Sequence, residues 1–222
     1  LLNRCMAGLT EEVTSHGAYL NKFLGDGFLA FWSAFHEQKD QAAEACKAAL
    51  ACQEVMTRIN NDPALGGISL GLRIGIATGE ALVGDCGAPP RLNDYTVIGD
   101  VANLASRLES ANKQIGTSIL LDGRTHRLAE SAELPFFEIG PLQVVGREGV
   151  VDVWTLERRD AEDADLASRL ADAVRAGNRA EVQSCLEQIE RRSGSSIRTR
   201  LITDMMGDAR HPMPRAIRLQ EK

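Results

Sequence analysis

The chain has 222 residues, a formal net charge of −6 and a hydrophobic fraction of 44%. That fraction supports a packed core and excludes wholesale disorder, and the length suffices for one medium domain with an appendage. The acidic balance excludes a non-specific nucleic-acid binder, because neutralising phosphates requires clustered lysine and arginine.

The first elements are predicted as a helix followed by a hairpin. Residues 1–16 form an amphipathic pattern with apolar side chains at helical spacing, and Gly17 fits the end of that helix. Residues 18–24 and 28–32 read as strands. The Gly25-Asp26-Gly27 segment between them is typical of a tight hairpin turn.

The order of the elements predicts an α+β fold. The remaining elements up to residue 156 are predicted as helices at 38–59 and 100–111, strands at 70–78, 81–83, 95–98, 118–121, 136–139, 143–145 and 150–156, and an irregular loop at 85–92. The early order, helix-strand-strand-helix-strand, matches a ferredoxin-like βαββαβ unit with its first strand missing. Because that strand lies inside the sheet, its loss would leave backbone groups unpaired.

The composition changes near Glu157, where a dense run of charges begins. Beyond it, residues 161–176, 178–192 and 197–206 are predicted as short polar helices. Their polarity and length are insufficient for a sizeable separate core. The sequence therefore predicts a domain at 1–156 and a polar helical C-terminal extension at 157–222.

Cysteine usage and hydropathy indicate the compartment. The five cysteines are scattered and form no metal-spaced pair, which predicts buried or idle thiols in a reducing compartment. No signal peptide and no apolar run of about 18 residues is found, so no membrane span is predicted. The chain starts at Leu1, within a helical pattern and without methionine, which indicates a fragment of a longer protein. We expect a cytoplasmic location, with any inner-membrane anchor in a missing N-terminal region.

Asp26 is the first candidate for chemistry. A carboxylate between two glycines lets a ligand approach the backbone closely, and Mg²⁺ prefers one or two protein carboxylates together with substrate phosphate oxygens. Because Asp-Gly pairs are common in turns, a purely structural role for Asp26 stays equally open.

Lys22 and Thr96 are candidates for reading a purine base. Lysine only donates hydrogen bonds, so it favours an acceptor such as adenine N1 over the protonated N1 of guanine. The Thr96 hydroxyl can accept from an exocyclic amine. The alternatives are an exposed edge-strand lysine and an ordinary β-forming threonine.

Asn103 and Arg107 lie four residues apart and so share one helix face. The guanidinium fork of Arg107 matches phosphate oxygens, and Asn103 suits a ribose hydroxyl or ring oxygen. A preceding short strand places the helix N-terminus where phosphate binds readily. The alternative is a solvated face on which Glu109 or Asp100 pairs with Arg107.

Together these motifs resemble the class III nucleotidyl cyclase catalytic domain. The resemblance covers roughly residues 1–156 and rests on three segments, 21–27 (NKFLGDG), 70–87 (LGLRIGIATGEALVGDCG) and 91–110 (RLNDYTVIGDVANLASRLES). It implies a cyclase palm fold whose active sites are shared across a head-to-tail homodimer.

The resemblance also implies a role for each candidate. Asp26 matches the second metal-binding aspartate, Lys22 the adenine-specifying lysine and Thr96 its partner position. Asn103 matches the asparagine that orients the ribose, and Arg107 the arginine that stabilises charge on the α-phosphate. The implied cofactors are Mg²⁺ or Mn²⁺ ions.

The chain departs from the family pattern in two places. The other metal-binding aspartate of the family lies on the strand that is missing here, and nothing in residues 1–16 replaces it. The lysine that contacts the triphosphate is replaced by Val145, while Arg147 occupies a neighbouring basic position and could compensate.

The resulting expectation is an adenylate cyclase that converts ATP to cyclic AMP and pyrophosphate by two-metal catalysis. The isolated fragment is expected to be inactive and poorly folded. Three alternatives stay open. A guanylyl cyclase is disfavoured by Lys22 and Thr96. A silent cyclase homology domain for dimerisation or nucleotide sensing is favoured by Val145 and the missing strand. A diguanylate cyclase or polymerase palm shares the strand order but fits residues 21–27 less well.

Overall fold

The computed structural model describes residues 1–88, 92–157, 161–193, 196–206 and 214–219. The helices are α1 (Leu2–Ser15), α2 (Gln41–Asn60), α3 (Asp100–Ile115), α4 (Gly123–Ala129), α5 (Ala161–Ala176), α6 (Arg179–Ser193) and α7 (Ile197–Met206). The strands are β1 (Tyr19–Leu24), β2 (Gly27–Phe31), β3 (Ile74–Ile76), β4 (Leu82–Ala88), β5 (Leu92–Ile98), β6 (Ile119–Asp122), β7 (Phe136–Gln143), β8 (Val151–Leu156) and β9 (Ile217–Arg218).

The strands form three sheets. The largest has the order β3-β6-β8-β7-β9, and the pairs β1-β2 and β4-β5 are separate antiparallel ribbons. Strand β3 pairs with β6 in parallel. Among the described residues, no strand lies between β2 and β3, where a ferredoxin-like order has its first strand. The α+β fold class is thus confirmed, and the sheet is discontinuous at that point.

Several predicted boundaries were wrong; the strand predicted at 70–78, for example, is confined to Ile74–Ile76. The predicted loop at 85–92 is largely strand, because β4 runs to Ala88 and β5 starts at Leu92. The two strands pair continuously, from Leu82 opposite Ile98 to Ala88 opposite Leu92. Residues 89–91 lie outside the described part. The predicted strand at 136–139 continues as β7 to Gln143, and residues 144–145 of the second predicted strand lie outside it. A register irregularity between Glu138 and Gly140 accommodates the Gly-Pro pair that interrupts the strand pattern.

Helix α3 lies directly on β3. A β-carbon added at Gly75 would lie 3.0 Å from the Leu108 carbonyl carbon and closer still to the Ala105 oxygen and the Glu109 nitrogen. Leu104 and Leu108 on the underside of α3 are buried in the largest core cluster. The sheet therefore fixes both the depth and the rotation of the helix that carries Asn103 and Arg107.

The C-terminal helices share this core. Leu170 and Val174 of α5 and Ile202 of α7 are fully buried in the same cluster as Leu108. The Arg175 guanidinium bonds the Glu138 carboxylate of β7 and lies 2.9 Å from an Asp152 oxygen of β8. The extension therefore buries its apolar side chains against the sheet rather than in a core of its own. The division at residue 156 stays a prediction.

Most of the thiols are inside the protein. Cys5, Cys46, Cys52 and Cys185 are buried and free, whereas Cys86 on β4 is exposed. Burial raises the pKa of Cys46 and of Cys52 to about 12, so these two thiols are unreactive near neutral pH. Over the described ranges, each helix is either too short or too polar to cross a bilayer.

Candidate active site

The hairpin between β1 and β2 presents Asp26 to solvent. Gly25 adopts a left-handed conformation with φ of +66°, which a side chain would strain, and Asp26 occupies the exposed second position of the turn. The site can therefore offer one carboxylate to a ligand from outside the chain. The turn geometry agrees with the sequence prediction and leaves both proposed roles of Asp26 possible.

An irregularity in β1 directs a side chain from the hairpin towards β5. Leu20 pairs with Ala30 and Lys22 with Leu29, so Asn21 is the extra residue of a β-bulge. Bulges redirect side chains and recur next to active sites. Asn21 Nδ2 donates to the Tyr95 carbonyl oxygen at 2.5 Å, and Asn21 Oδ1 accepts from the Thr96 hydroxyl at 3.0 Å.

This contact brings Thr96 to the strand segment that carries Lys22. Lys22 follows Asn21 on β1 and is half-buried, and Thr96 lies half-buried on β5. Aromatic rings reinforce the junction, since the Tyr19 ring lies edge-on to that of Tyr95, with centroids 5.6 Å apart. Residues separated by more than seventy positions therefore meet on neighbouring ribbons of one chain.

The exposed face of α3 carries the second group of candidates. Asn103 is exposed and Arg107 is half-buried, one turn apart, and each directly precedes a buried leucine, Leu104 or Leu108. The alternative partners of Arg107 are engaged elsewhere, because Asp100 pairs with Arg147 and Glu109 with Arg73. Within the described residues, Arg107 has no ion-pair partner.

Arg147 lies beside this group. Its Nη2 is 2.9 Å from an Asp100 carboxylate oxygen, while its Nη1 is buried and has no hydrogen-bond partner among the described residues. A β-carbon added at Gly146 would lie 3.5 Å from Arg107 Nη2, so the turn before Arg147 lies next to the Arg107 guanidinium. The two arginines therefore lie close together beside α3, and the unpaired buried N–H of Arg147 favours an anionic acceptor there.

The predicted residues thus fall into three places within one chain. Thr96 bonds to Asn21, which precedes Lys22 on β1, and Gly146, which precedes Arg147, lies next to the Arg107 guanidinium. No hydrogen bond or ion pair of the described residues joins Asp26 to Arg107.

Sequence reasoning missed the roles of Asn21 and Asp100. Asn21 has no local signal of its reach, because the bulge that directs it depends on the pairing with β2. Asp100 was considered only as a partner of Arg107, whereas it pairs with Arg147. Its position as the first residue of α3, where a carboxylate is favoured by the helix dipole, was the available clue.

The described ranges contain no group of three or more His, Cys, Asp or Glu side chains that could hold a metal ion. The hard, exposed carboxylate of Asp26 nevertheless fits Mg²⁺, which commonly takes one or two protein carboxylates and completes its shell with water and phosphate oxygens.

Comparison with known proteins gives consistent matches. A family model described as the adenylate and guanylate cyclase catalytic domain matches residues 1–158. Adenylate cyclase 1 of Rhizobium meliloti is 36% identical over 147 residues, which cover 65% of this chain and 22% of that protein. An adenylate cyclase of Anabaena cylindrica is 31% identical over 127 residues, covering 54% of this chain and 24% of that protein. The chain thus spans about a quarter of these relatives' length.

Solved structures agree on the fold. The adenylyl cyclase CyaB from P. aeruginosa superposes with a TM-score of 0.61 at 28% identity, covering 72% of this chain and 82% of that one. The guanylyl cyclase Cya2 superposes with a TM-score of 0.56 at 29% identity, covering 72% of this chain and 80% of that one. Because the two identities are nearly equal, overall similarity does not separate ATP from GTP as the substrate.

Proposed function

Because the chain belongs to the family of adenylate and guanylate cyclase catalytic domains, we propose that it converts ATP to 3′,5′-cyclic AMP and pyrophosphate for intracellular signalling. The observation that carries the choice of ATP is the junction of β1 and β5, where Asn21 bonds to Thr96 beside Lys22. A lysine and a threonine at one site match the edge of adenine.

Lys22 distinguishes the purines at ring position 1. Its ammonium group has donors only, so it can bind the N1 acceptor of adenine but meets a proton on N1 of guanine. Such a mismatch leaves a buried polar group without a partner, which costs about 1–3 kcal/mol. The half-buried position of Lys22 supports this assignment, since a lysine exposed to water would discriminate little.

Asn103 and Arg107 act on the ribose and the α-phosphate. Asn103 orients the ribose so that its 3′-oxygen faces the α-phosphorus. The 3′-oxygen bonds to that phosphorus as the bond to the pyrophosphate oxygen breaks, and the hydroxyl proton passes to solvent. Arg107, which has no competing ion pair among the described residues, stabilises the charge that develops on the α-phosphate.

The turn that carries Arg147 serves the leaving group. The buried Nη1 of Arg147, which has no partner among the described residues, can donate to one phosphate oxygen. Its Nη2, now paired with the Asp100 carboxylate, would leave that carboxylate and donate to a second phosphate oxygen. Arg147 would thereby take the role of the family's lysine, which is replaced here by Val145.

Asp26 would hold the divalent cations together with the oxygens of the nucleotide. When bound, Mg²⁺ or Mn²⁺ lowers the pKa of the attacking hydroxyl and neutralises the departing pyrophosphate. The exposed turn between two glycines leaves room for that approach.

We infer that the active unit is a homodimer with two equivalent shared sites. Large apolar side chains are exposed on both ribbons: Phe23 and Leu24 on β1 at 57% and 58%, and Leu82 and Ile98 on the β4-β5 ribbon at 78% and 49%. Exposed apolar groups of this size mark protein interfaces. Their position near Asp26 and Thr96 supports a partner that completes each site.

A silent cyclase homology domain is the second candidate, because Val145 removes a triphosphate contact. The deciding experiment measures cyclic nucleotide formation by the full-length protein with ATP or GTP and Mg²⁺ or Mn²⁺. Cyclic AMP formation that exceeds cyclic GTP formation at least tenfold is expected. Dimers that form neither product with either metal would instead support the silent domain, and a preference for GTP would reject the base assignment.

A further inference from the structure

The amide group of Asn21 has a fixed orientation. A backbone carbonyl can only accept hydrogen bonds, so the atom 2.5 Å from the Tyr95 oxygen must be the Asn21 nitrogen. The Asn21 oxygen therefore faces Thr96. Because an amide oxygen also only accepts, the Thr96 hydroxyl must donate its proton to Asn21.

The fixed proton determines what Thr96 can bind. A threonine hydroxyl has one proton and two lone pairs. With its proton held by Asn21, Thr96 presents acceptors only to a ligand. Position 6 of adenine carries an amine that donates, whereas position 6 of guanine carries an oxygen that accepts. A free hydroxyl would rotate to suit either base, but this one suits adenine alone.

We propose that Asn21 is a specificity-determining positioning residue: by taking the proton of Thr96, it makes the base pocket select a 6-amino purine over a 6-oxo purine. The proposal rests on the proposed function, in that it takes the base pocket to lie at Lys22 and Thr96. The bulge at Asn21 explains how a β1 residue next to Lys22 reaches β5.

The test removes the acceptor without changing the shape. Asn21→Leu is close to Asn in size, and Thr96→Val removes the hydroxyl. The two single variants and the double variant, made in the full-length protein, form a double-mutant cycle. For each protein, calorimetry measures the dissociation constants of ATP and of GTP. Binding constants are used so that the result does not depend on turnover.

Asn21→Leu should lower the preference for ATP over GTP about tenfold, the size of one hydrogen bond. In the Thr96→Val background the same substitution should change the preference by less than about twofold, because no hydroxyl remains to be oriented. Asn60→Leu is the matched control. Its side chain bonds the Leu70 backbone, with Nδ2 2.9 Å from the Leu70 oxygen, so its loss should lower the Tm and leave the preference unchanged.

A merely structural role for Asn21 gives a different result. In that case Asn21→Leu would weaken ATP and GTP binding equally, or it would change the ratio of the two dissociation constants by the same factor in the wild-type and Thr96→Val proteins. Either outcome overturns the proposal. If Asn21→Leu fails to fold, Asn21→Asp decides, since its carboxylate still accepts from Thr96. The preference for ATP should then persist at a lower Tm, and its loss would refute the inference.

The outcomes separate this inference from the proposed activity. Protein that binds both nucleotides but forms no cyclic product contradicts the proposed function, while the affinity ratios still test Asn21. Failure to bind either nucleotide overturns both. If the wild-type protein forms cyclic AMP but binds GTP more tightly than ATP, the inference about Asn21 is overturned and the proposed activity is not.

Discussion

Replacing Gly75 by alanine should displace the helix that carries Asn103 and Arg107. A β-carbon at Gly75 would meet backbone atoms of α3, 3.0 Å from the Leu108 carbonyl carbon and nearer to two others. Because these atoms belong to a hydrogen-bonded helix and not to a flexible side chain, α3 must withdraw by about 1 Å. Overpacking of this kind costs about 1–3 kcal/mol.

Two readouts follow from that displacement. For a protein of this size, about 2 kcal/mol lowers the Tm by roughly 4–8 °C. A shift of about 1 Å in a positioned catalytic group can reduce the rate about a hundredfold, so cyclic AMP formation should fall further than the loss of folded protein explains. The assay is differential scanning fluorimetry beside initial rates at a temperature where both proteins are folded.

Gly71→Ala is the matched control. It lies on the same segment with no atom within 4 Å of the added β-carbon, so both the Tm and the rate should be unchanged. A Gly75→Ala protein as stable and active as the wild type would refute the direct packing of α3 on β3.

Three further predictions concern the site and the thiols. Arg107→Ala should lower kcat about a hundredfold with little change in ATP affinity, measured by initial rates and calorimetry; an unchanged kcat would reject its role. Lys22→Glu combined with Thr96→Cys should shift the kcat/KM ratio towards GTP, and an unaltered ratio would refute the base-reading pair. In the native protein only Cys86 should react rapidly with a thiol reagent at pH 7.5, because burial raises the pKa of Cys46 to about 12; a second fast thiol would contradict the packing.

Local pattern was sufficient for much of the fold. The apolar spacing of residues 1–16 predicted α1, and the Gly-Asp-Gly turn predicted the β1-β2 hairpin, because both depend on near neighbours in sequence. The gap between β2 and β3 followed from element order alone. The family resemblance named candidates on both ribbons and on α3, and their roles stay predictions.

Long-range contacts were beyond sequence reasoning. The reach of Asn21 to Thr96 depends on a bulge that only the pairing with β2 reveals. Arg147 and Asp100 pair across separate elements, and nothing in their local sequence selects this partner over Arg107. Gly140 and Pro141 appeared to end a strand, yet a register irregularity keeps β7 continuous.

The central claim is that two copies share each active site, and mixing two inactive variants tests it most directly. Asp26→Asn and Arg107→Ala should each lower cyclic AMP formation about a hundredfold, since each removes one part of both sites. When the two are co-expressed at equal levels, half of the dimers are mixed and hold one intact site, so activity should return to about a quarter of the wild-type value. A mixture as inactive as the separate variants would show that Asp26 and Arg107 act within a single chain, and the shared site would be contradicted.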